Sequence, residues 1–128
     1  MIDASGFQGV MEMQVIVAGW IQMAGPAAPT LQEATALIEA ALAEDGCLAY
    51  EWAVYPDKPD TILVFERWDT PEALIAHLNA APYFEMGGHL EKAGIAGADV
   101  LVHSVQGFQN IYGNDGLIAA EIFGVKTR

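Results

Sequence analysis

The stretch from Gly46 to Phe84 constrains the fold of this chain more than any other part of the sequence. Residues 47–55 and 61–68 are rich in aromatic and β-branched side chains, which suit a pleated, half-buried surface. The segment between them contains two prolines and two aspartates, a composition that is typical of a turn. The pattern therefore predicts two antiparallel strands joined as a hairpin by a five-residue link.

Side chains alternate between the two faces of a strand, so the predicted hairpin has two distinct surfaces. One set shares a face within each strand: Leu48, Tyr50, Trp52 and Val54 in the first, and Ile62, Val64, Glu66 and Trp68 in the second. Arg67 points to the opposite face from its neighbour Glu66. The hairpin thus carries two tryptophans, a tyrosine and a carboxylate that are candidates for a functional site.

A helical pattern follows the hairpin directly. Thr70 is a typical N-cap residue, and the proline after it fits the first helical position. An apolar stripe at helical spacing continues until Pro82, which lacks an N–H group and ends the segment. His77 lies on the same face as this stripe, and Tyr83 and Phe84 follow at the break. The hairpin and the helix can therefore direct His77, Tyr83 and the strand aromatics into one volume.

The segment before the hairpin predicts a strand and a helix. Residues 12–21 alternate as a strand does, and residues 30–45 carry an apolar stripe at helical spacing. Thr30 and Glu33 predict a capping box at the start of this helix, and Gly46 predicts its end. Its acidic residues Glu39, Glu44 and Asp45 are interpreted as its solvated side, with the last two poorly placed against the helix dipole.

The remaining segments complete the order of elements. Residues 86–93 predict a second helical piece, weakened by two adjacent glycines, and residues 98–105 predict a last strand. The order is β-α-β-β-α-β, and helices on one side of an antiparallel sheet give a ferredoxin-like α+β sandwich. We expect an N-terminal extension at 1–11, this domain at 12–106, and a C-terminal extension at 107–128 that packs on the domain or on a partner subunit.

The charge and length of the chain restrict its partners. It has 128 residues, enough for one domain with a real core, and 17 acidic against 5 basic residues, for a formal net charge of −12. Binding to nucleic acid requires clustered positive charge, so we expect no nucleic-acid partner. The chain shows neither a signal peptide nor an apolar run of membrane-spanning length, so we expect a cytoplasmic protein with no membrane partner.

The sequence offers no motif for a metal or nucleotide cofactor. The single Cys47 cannot build a thiolate cluster or an intrachain disulfide, and it is interpreted as a small packed residue rather than a nucleophile. No spacing of His, Asp and Glu resembles a metal site. No glycine-rich loop follows a strand, which disfavours NAD or flavin binding of the Rossmann type.

The sequence resembles the antibiotic biosynthesis monooxygenase (ABM) domain family in four runs: G-C-L-A-Y-E-W, E-R-W, P-E-A-L-I-A-H-L and A-P-Y-F. The matching residues are Gly46, Leu48, Tyr50, Glu66, Trp68, Ala73, His77 and Phe84, and the resemblance covers residues 13–105. It implies that two copies pack their sheets across a dimer axis as a dimeric α+β barrel. Three Trp and four Tyr are many for so small a monomer core, which also favours a homodimer.

The resemblance implies a cofactor-free enzyme that oxygenates a quinol or a related phenol. In this chain His77 would be the base, Tyr50 the positioning donor, and Trp52 and Trp68 the aromatic wall for a small aromatic molecule and O₂. Glu66 would be a ligand group or would orient His77. Contacts with the substrate are also expected from three residues around the helix break, Tyr83, Phe84 and His89.

Each of these residues also has a structural interpretation. The tryptophans and Tyr50 can belong to the core or to a dimer interface, and His77 can be a buried imidazole bonded to a carbonyl or to Glu66. Two other functions use the same pocket: isomerisation of a small carbonyl compound, and ligand binding without catalysis. Haem degradation is disfavoured, because that branch of the superfamily has an Asn on the first strand and the run M-Q-V-I-V-A-G-W has none.

Overall fold

The computed structural model describes residues 13–128 and shows an α+β fold. The predicted extension at 1–11 lies outside the described residues. The elements, in chain order, are β1 (Val15–Met23), α1 (Ala28–Glu33), α2 (Thr35–Leu42), β2 (Cys47–Tyr55), β3 (Lys58–Trp68), α3 (Pro71–Leu78), α4 (Ala81–Ala93), β4 (Ile95–Ser104), β5 (Glu121–Ile122) and β6 (Val125–Lys126).

The first four strands form one sheet in the order β2-β3-β1-β4, with every neighbouring pair antiparallel. Buried side chains from one face of this sheet pack against α1, α2, α3 and α4. Helices on one side of a four-stranded antiparallel sheet confirm the predicted ferredoxin-like α+β architecture.

The predicted hairpin is present, but its turn and its first residues differ from the prediction. β3 begins at Lys58, which pairs with Tyr55, so the link is shorter than the five residues predicted. The pairing also shifts between Cys47, opposite Trp68, and Ala49, opposite Arg67. Leu48 is therefore an extra residue in a bulge and is 45% exposed, so the predicted alternation is interrupted at this residue.

The register beyond this bulge confirms the rest of the predicted face. Tyr50 lies opposite Glu66, and Trp52 lies opposite Val64. Because side chains of directly paired residues point the same way, these four lie together on the side of the sheet that faces the helices. The polar and aromatic side chains predicted for the site on β2 and β3 thus lie on one surface of the sheet.

The helix predicted at 30–45 is wrong in its bounds and its cap. It begins at Ala28, with Ala27 as N-cap, and Ala34 interrupts it with φ −95° and ψ 6°. Thr30 lies inside α1 and is buried, so it does not cap the helix. The proline in the first turn and the buried Ala27 set the start instead, because tertiary packing overrides a local cap signal.

The helix after the hairpin begins as predicted. The Thr70 hydroxyl accepts a hydrogen bond from the backbone N–H of Ala73 at 3.1 Å. The break follows Leu78, and Pro82 occupies the first turn of α4, where its missing N–H costs nothing. The helical piece predicted at 86–93 is therefore the end of a longer helix, Ala81–Ala93.

The core consists of two contiguous clusters under the helices. The first joins sheet, α1 and α4 through Met23, Ala27, Leu31, Ala34, Ile62, Val64, Met86 and Leu90. The second joins sheet, α2 and α3 through Val15, Ala41, Tyr50, Trp68 and Leu74. The other face of the sheet remains open, with Trp20 37% and Leu63 41% exposed.

The segment at 107–128 continues beyond the sheet. It contains a bridge between Tyr112 and Ile118 and the short β5–β6 hairpin. Most of its large apolar side chains are exposed, and the Arg67 guanidinium lies 5.7 Å from the ring centre of Phe108. Within residues 13–128, no helix is long and apolar enough to cross a membrane.

Candidate functional site

A cavity of about 390 Å³ lies between the helical face of the sheet and the helices α3 and α4. Its walls are mainly apolar, with a few polar groups, which is the usual character of a small-molecule site. Its lining residues are Val17, Ile21, Tyr50, Trp52, Val64, Glu66, Leu74, His77, Leu78, Tyr83, Met86, Gly87, Leu90, Val100, Leu101 and Val102. Val100, Leu101 and Val102 belong to the edge strand β4 and are exposed, so the cavity opens at this edge of the sheet.

His77 is the buried imidazole of this cavity. Its side chain is 2% exposed, and its Nδ1 lies 2.6 Å from Oε1 of Glu44. An ionised carboxylate only accepts hydrogen bonds, so the proton of this contact belongs to Nδ1. No hydrogen bond joins Nε2 of His77 to another residue within 13–128. Of the two ring nitrogens, Nδ1 is therefore held by Glu44, and the residue lines the cavity.

Glu66 is the second buried polar group, and two tryptophans hold it. Its Oε1 accepts a hydrogen bond from Nε1 of Trp68 at 3.1 Å, and its Oε2 accepts one from Nε1 of Trp52 at 3.2 Å. Burial raises the pKa of Glu66, and the two indole N–H donors oppose that shift. The carboxylate fixes both indoles in place, because each can donate only in one direction.

Aromatic rings surround His77 on several sides. The Tyr50 ring centre lies 5.5 Å away, that of Trp68 4.7 Å and that of Tyr83 5.7 Å. Tyr50 also stacks on Trp52 at 5.8 Å with an interplanar angle of 17°. The imidazole is therefore enclosed in an aromatic, water-poor environment that suits a flat ligand.

Two further groups have pKa values shifted by this environment. Burial, and then the charges of Glu66 and Glu44, raise the pKa of Tyr50 well above its usual range, so its hydroxyl remains a hydrogen-bond donor at neutral pH. Burial and the same two carboxylates raise the pKa of Cys47 to about 11. The thiol is therefore protonated at neutral pH, in agreement with its interpretation as a packed residue.

The structure brings five of the eight predicted site residues to the cavity: His77, Tyr50, Glu66, Trp52 and Tyr83. The other three lie elsewhere. Trp68 is fully buried behind the wall, where its ring packs against His77. Phe84 is 60% exposed beside Tyr83, and Nε2 of His89 lies 2.8 Å from the carbonyl oxygen of Thr30.

Sequence reasoning missed Glu44, which was assigned to the solvated side of a helix. The structure places it in the turn after α2, with its side chain directed to His77 on α3. A signal was present in the sequence, because a carboxylate at the C-terminal end of a helix is unfavourable against the dipole and needs another partner. The predicted partner of His77, Glu66, is instead bonded to the two indoles.

The chemistry of the described residues offers no obvious metal centre. No group of three or more His, Cys, Asp or Glu side chains within residues 13–128 is placed to hold a metal ion. The polar groups of the cavity are an imidazole, a phenol and a carboxylate. Together they can accept a proton, donate a hydrogen bond and bind a flat ring.

The fold belongs to the ferredoxin-like α+β class, and its cavity has the size and the lining of a small-molecule site. Residues 21–86 match the model of the family described as antibiotic biosynthesis monooxygenase. This match spans more than half of the chain, and the chain belongs to that family. No curated protein matches it significantly.

Solved structures agree with this assignment. The chain is similar to a candidate antibiotic biosynthesis monooxygenase from Deinococcus radiodurans, with 26% identity over 77% of this chain and 99% of that one, at a TM-score of 0.69. A candidate antibiotic biosynthesis monooxygenase from Chloroflexus aurantiacus is 26% identical over 76% of this chain and 95% of that one, at a TM-score of 0.61. Another, from Nitrosomonas europaea, is 18% identical over 78% of this chain and 94% of that one, at a TM-score of 0.65. At this level of identity the similarity supports the fold alone.

Proposed function

We propose that this protein is a cofactor-independent monooxygenase that acts on a quinol or a related phenol, with His77 as the base. The observation that carries the proposal is a buried imidazole that lines the cavity and is held at Nδ1 by Glu44, an arrangement that leaves Nε2 as the basic nitrogen. Membership of the antibiotic biosynthesis monooxygenase family supports the reaction type. The mainly apolar walls and the volume of about 390 Å³ suit a small aromatic substrate.

The proposed reaction uses the substrate as its own reductant. Nε2 of His77 takes a phenolic proton, and the resulting phenolate transfers an electron to O₂. The radical pair then combines to a ring hydroperoxide, which loses water. A quinol and O₂ thereby give a hydroxyquinone and water, so atoms and electrons balance without a further reductant. The imidazolium beside the phenolate offsets its charge in a site that excludes water.

The other polar groups have distinct proposed roles. The protonated Tyr50 donates a hydrogen bond to a substrate oxygen, and Trp52 and Tyr83 contact the ring. Glu66 holds the Trp52 indole in the wall through its 3.2 Å hydrogen bond. Trp68 acts from behind the wall, by packing against His77. These roles place recognition on β2 and α4 and proton transfer on α3.

The decisive test is oxygen consumption by metal-free protein over a panel of quinols and polycyclic phenols. We expect His77→Ala to lower kcat by about 10²- to 10⁴-fold, the usual contribution of a general base. Ile75→Ala, on the exposed side of the same helix, is the matched control and should retain the wild-type rate. Wild-type uptake that survives in His77→Ala would exclude His77 as the base.

One observation also supports isomerisation of a small carbonyl compound. The rings of Tyr50 and His77 lie 5.5 Å apart on the same cavity, so one carbonyl substrate can meet a base and a donor together. Turnover in the absence of O₂, with loss in both His77→Ala and Tyr50→Phe, would select this reaction. Binding without any turnover would leave a ligand-binding protein.

We further propose that the protein is a homodimer whose sheets face each other. The sheet surface opposite the helices exposes Trp20 and Leu63, an apolar surface that a second copy would cover. The C-terminal segment 107–128 is proposed to pack on the partner subunit or over the cavity mouth, because its apolar side chains are exposed in this chain. Deletion of residues 113–128 that left dimerisation, stability and ligand binding unchanged would exclude that role.

A further inference from the structure

We infer that Glu44 is a positioning residue that fixes the imidazole of His77 with its proton on Nδ1 and its basic Nε2 toward the ligand. The inference rests on the proposed function for its catalytic meaning, but the geometry of the pair is independent of the reaction. Glu44 does not line the cavity, whereas His77 does. The direct link between this carboxylate and the cavity is therefore its hydrogen bond to the imidazole.

The backbone of Glu44 is held in a short, fully bonded turn. Its N–H donates to the carbonyl oxygen of Ala41 at 3.1 Å, and its own carbonyl accepts from Cys47 N–H at 3.2 Å. The Glu44 side chain thus extends from a rigid stretch of backbone between α2 and β2. A side chain can hold another group in one orientation only if its own backbone is held in place.

The same turn is fastened to the start of the helix that carries His77. The carbonyl oxygen of Gly46 accepts a hydrogen bond from Asp69 N–H at 2.9 Å. A Cβ atom on Gly46 would lie 2.5 Å from Oδ1 of Asp69 and 2.6 Å from Cβ of Ala73. The chain segments that carry Glu44 and His77 are therefore in direct contact at Gly46. This contact holds the two side chains at the 2.6 Å separation of their hydrogen bond.

The carboxylate has few other partners. Its side chain is 21% exposed, and Oε2 is buried without a hydrogen-bond partner in residues 13–128. Within the same residues, the imidazole is the group to which this carboxylate is directly hydrogen-bonded. A carboxylate at Nδ1 selects the tautomer and stabilises the imidazolium that forms when Nε2 takes a proton.

Other ionisable groups face the same imidazole. They are Tyr50 of β2, Glu66 of β3, and Tyr83 of α4. Both oxygens of Glu66 accept indole hydrogen bonds, and the two tyrosines lie edge-on to the ring. Glu44, unlike these three side chains, has a direct hydrogen bond to the imidazole.

The first experiment is a nitrogen NMR measurement of the His77 tautomer in the full chain, without ligand. We expect the Nδ1–H tautomer in the wild type and a mixture of both tautomers in Glu44→Gln, because an amide can donate to Nδ1 as well as accept from it. Glu39→Gln removes the same charge from an exposed position of α2 and should leave the tautomer unchanged. An unchanged tautomer in Glu44→Gln would overturn the inference.

The second experiment is oxygen uptake with the quinol panel. In Glu44→Gln we expect kcat to fall at least about 10-fold with KM nearly unchanged, because the imidazole is less well oriented for proton transfer. Glu44→Asp, which keeps the charge but shortens the reach, should retain part of the rate; it also replaces Glu44→Gln if that variant does not fold. An equal fall in Glu39→Gln, or a change confined to KM, would contradict a positioning role.

The two experiments separate the inference from the function it deepens. A His77 tautomer that changes in Glu44→Gln, without oxygen uptake in any protein, supports the positioning of the imidazole and removes the oxygenase proposal. Uptake that depends on His77 but not on Glu44, with an unchanged tautomer in Glu44→Gln, removes the positioning role and leaves the oxygenase.

Discussion

Oε1 of Glu66 accepts a hydrogen bond from Nε1 of Trp68, two residues further along the same strand, at 3.1 Å. Residues two apart on a strand share a face, so this contact is built into β3 before any other element packs on it. Both side chains are buried, and the Trp68 ring also packs against His77. The pair thus joins the core to the wall of the cavity.

The stability of the protein should depend strongly on Trp68. Trp68→Phe removes a fully buried indole and one donor to Glu66, and we expect the free energy of unfolding to fall by about 2–3 kcal/mol. Trp52→Phe removes the equivalent donor from a half-buried position and should cost about 1 kcal/mol. Urea denaturation measures both, and equal costs would show that core packing of Trp68 adds nothing.

The contribution of Glu66 to stability should decrease as the pH rises. Burial raises its pKa in the folded state above the ordinary value of 4.5, so the folded state binds the proton more tightly than the unfolded state. The wild type should therefore lose stability relative to Glu66→Gln as the pH rises above 4.5, and keep its full advantage below that pH. Glu85→Gln, on the exposed side of α4, reports the pH dependence that is not specific to Glu66. A wild-type advantage that grows with pH would contradict a raised pKa for this carboxylate.

Gly46 should not tolerate a side chain. Its φ of +80° disfavours other residues, and a Cβ atom would lie 2.6 Å from Cβ of Ala73. We expect Gly46→Ala to lower the free energy of unfolding by about 2 kcal/mol or more. Gly88→Ala, in an open position of α4, should instead raise it by about 0.5–1 kcal/mol. Thermal or urea unfolding checks the opposite signs.

The oligomeric state tests the proposed sheet-to-sheet dimer. One chain has a mass of 13.7 kDa, and we expect light scattering to give about twice that value for the wild type. Leu63→Glu places a charge on the open sheet face and should give monomers. Ile75→Glu adds the same charge to an exposed apolar position of α3 and should remain dimeric. A monomeric wild type, or a dimer that is insensitive to Leu63→Glu, would contradict this interface.

The order of elements and most of the shared face of the hairpin follow from the sequence alone. Alternation places Tyr50 and Trp52 on one face of β2 and Glu66 and Trp68 on one face of β3, and the register confirms that the two faces coincide. The Thr70 cap confirms the start of α3. These features depend on neighbours within a few residues, so local patterns suffice to predict them.

The tertiary structure decided which residues meet across long separations. Glu44 and His77 are joined only because the turn after α2 packs on the start of α3 through Gly46, and no local period encodes that contact. The bulge that exposes Leu48 depends on pairing between β2 and β3. The cavity likewise needs β4 as its edge and α4 as its wall. The sequence determined the candidates on each element, and packing selected which of them share a site, because burial and hydrogen bonding depend on all the elements together.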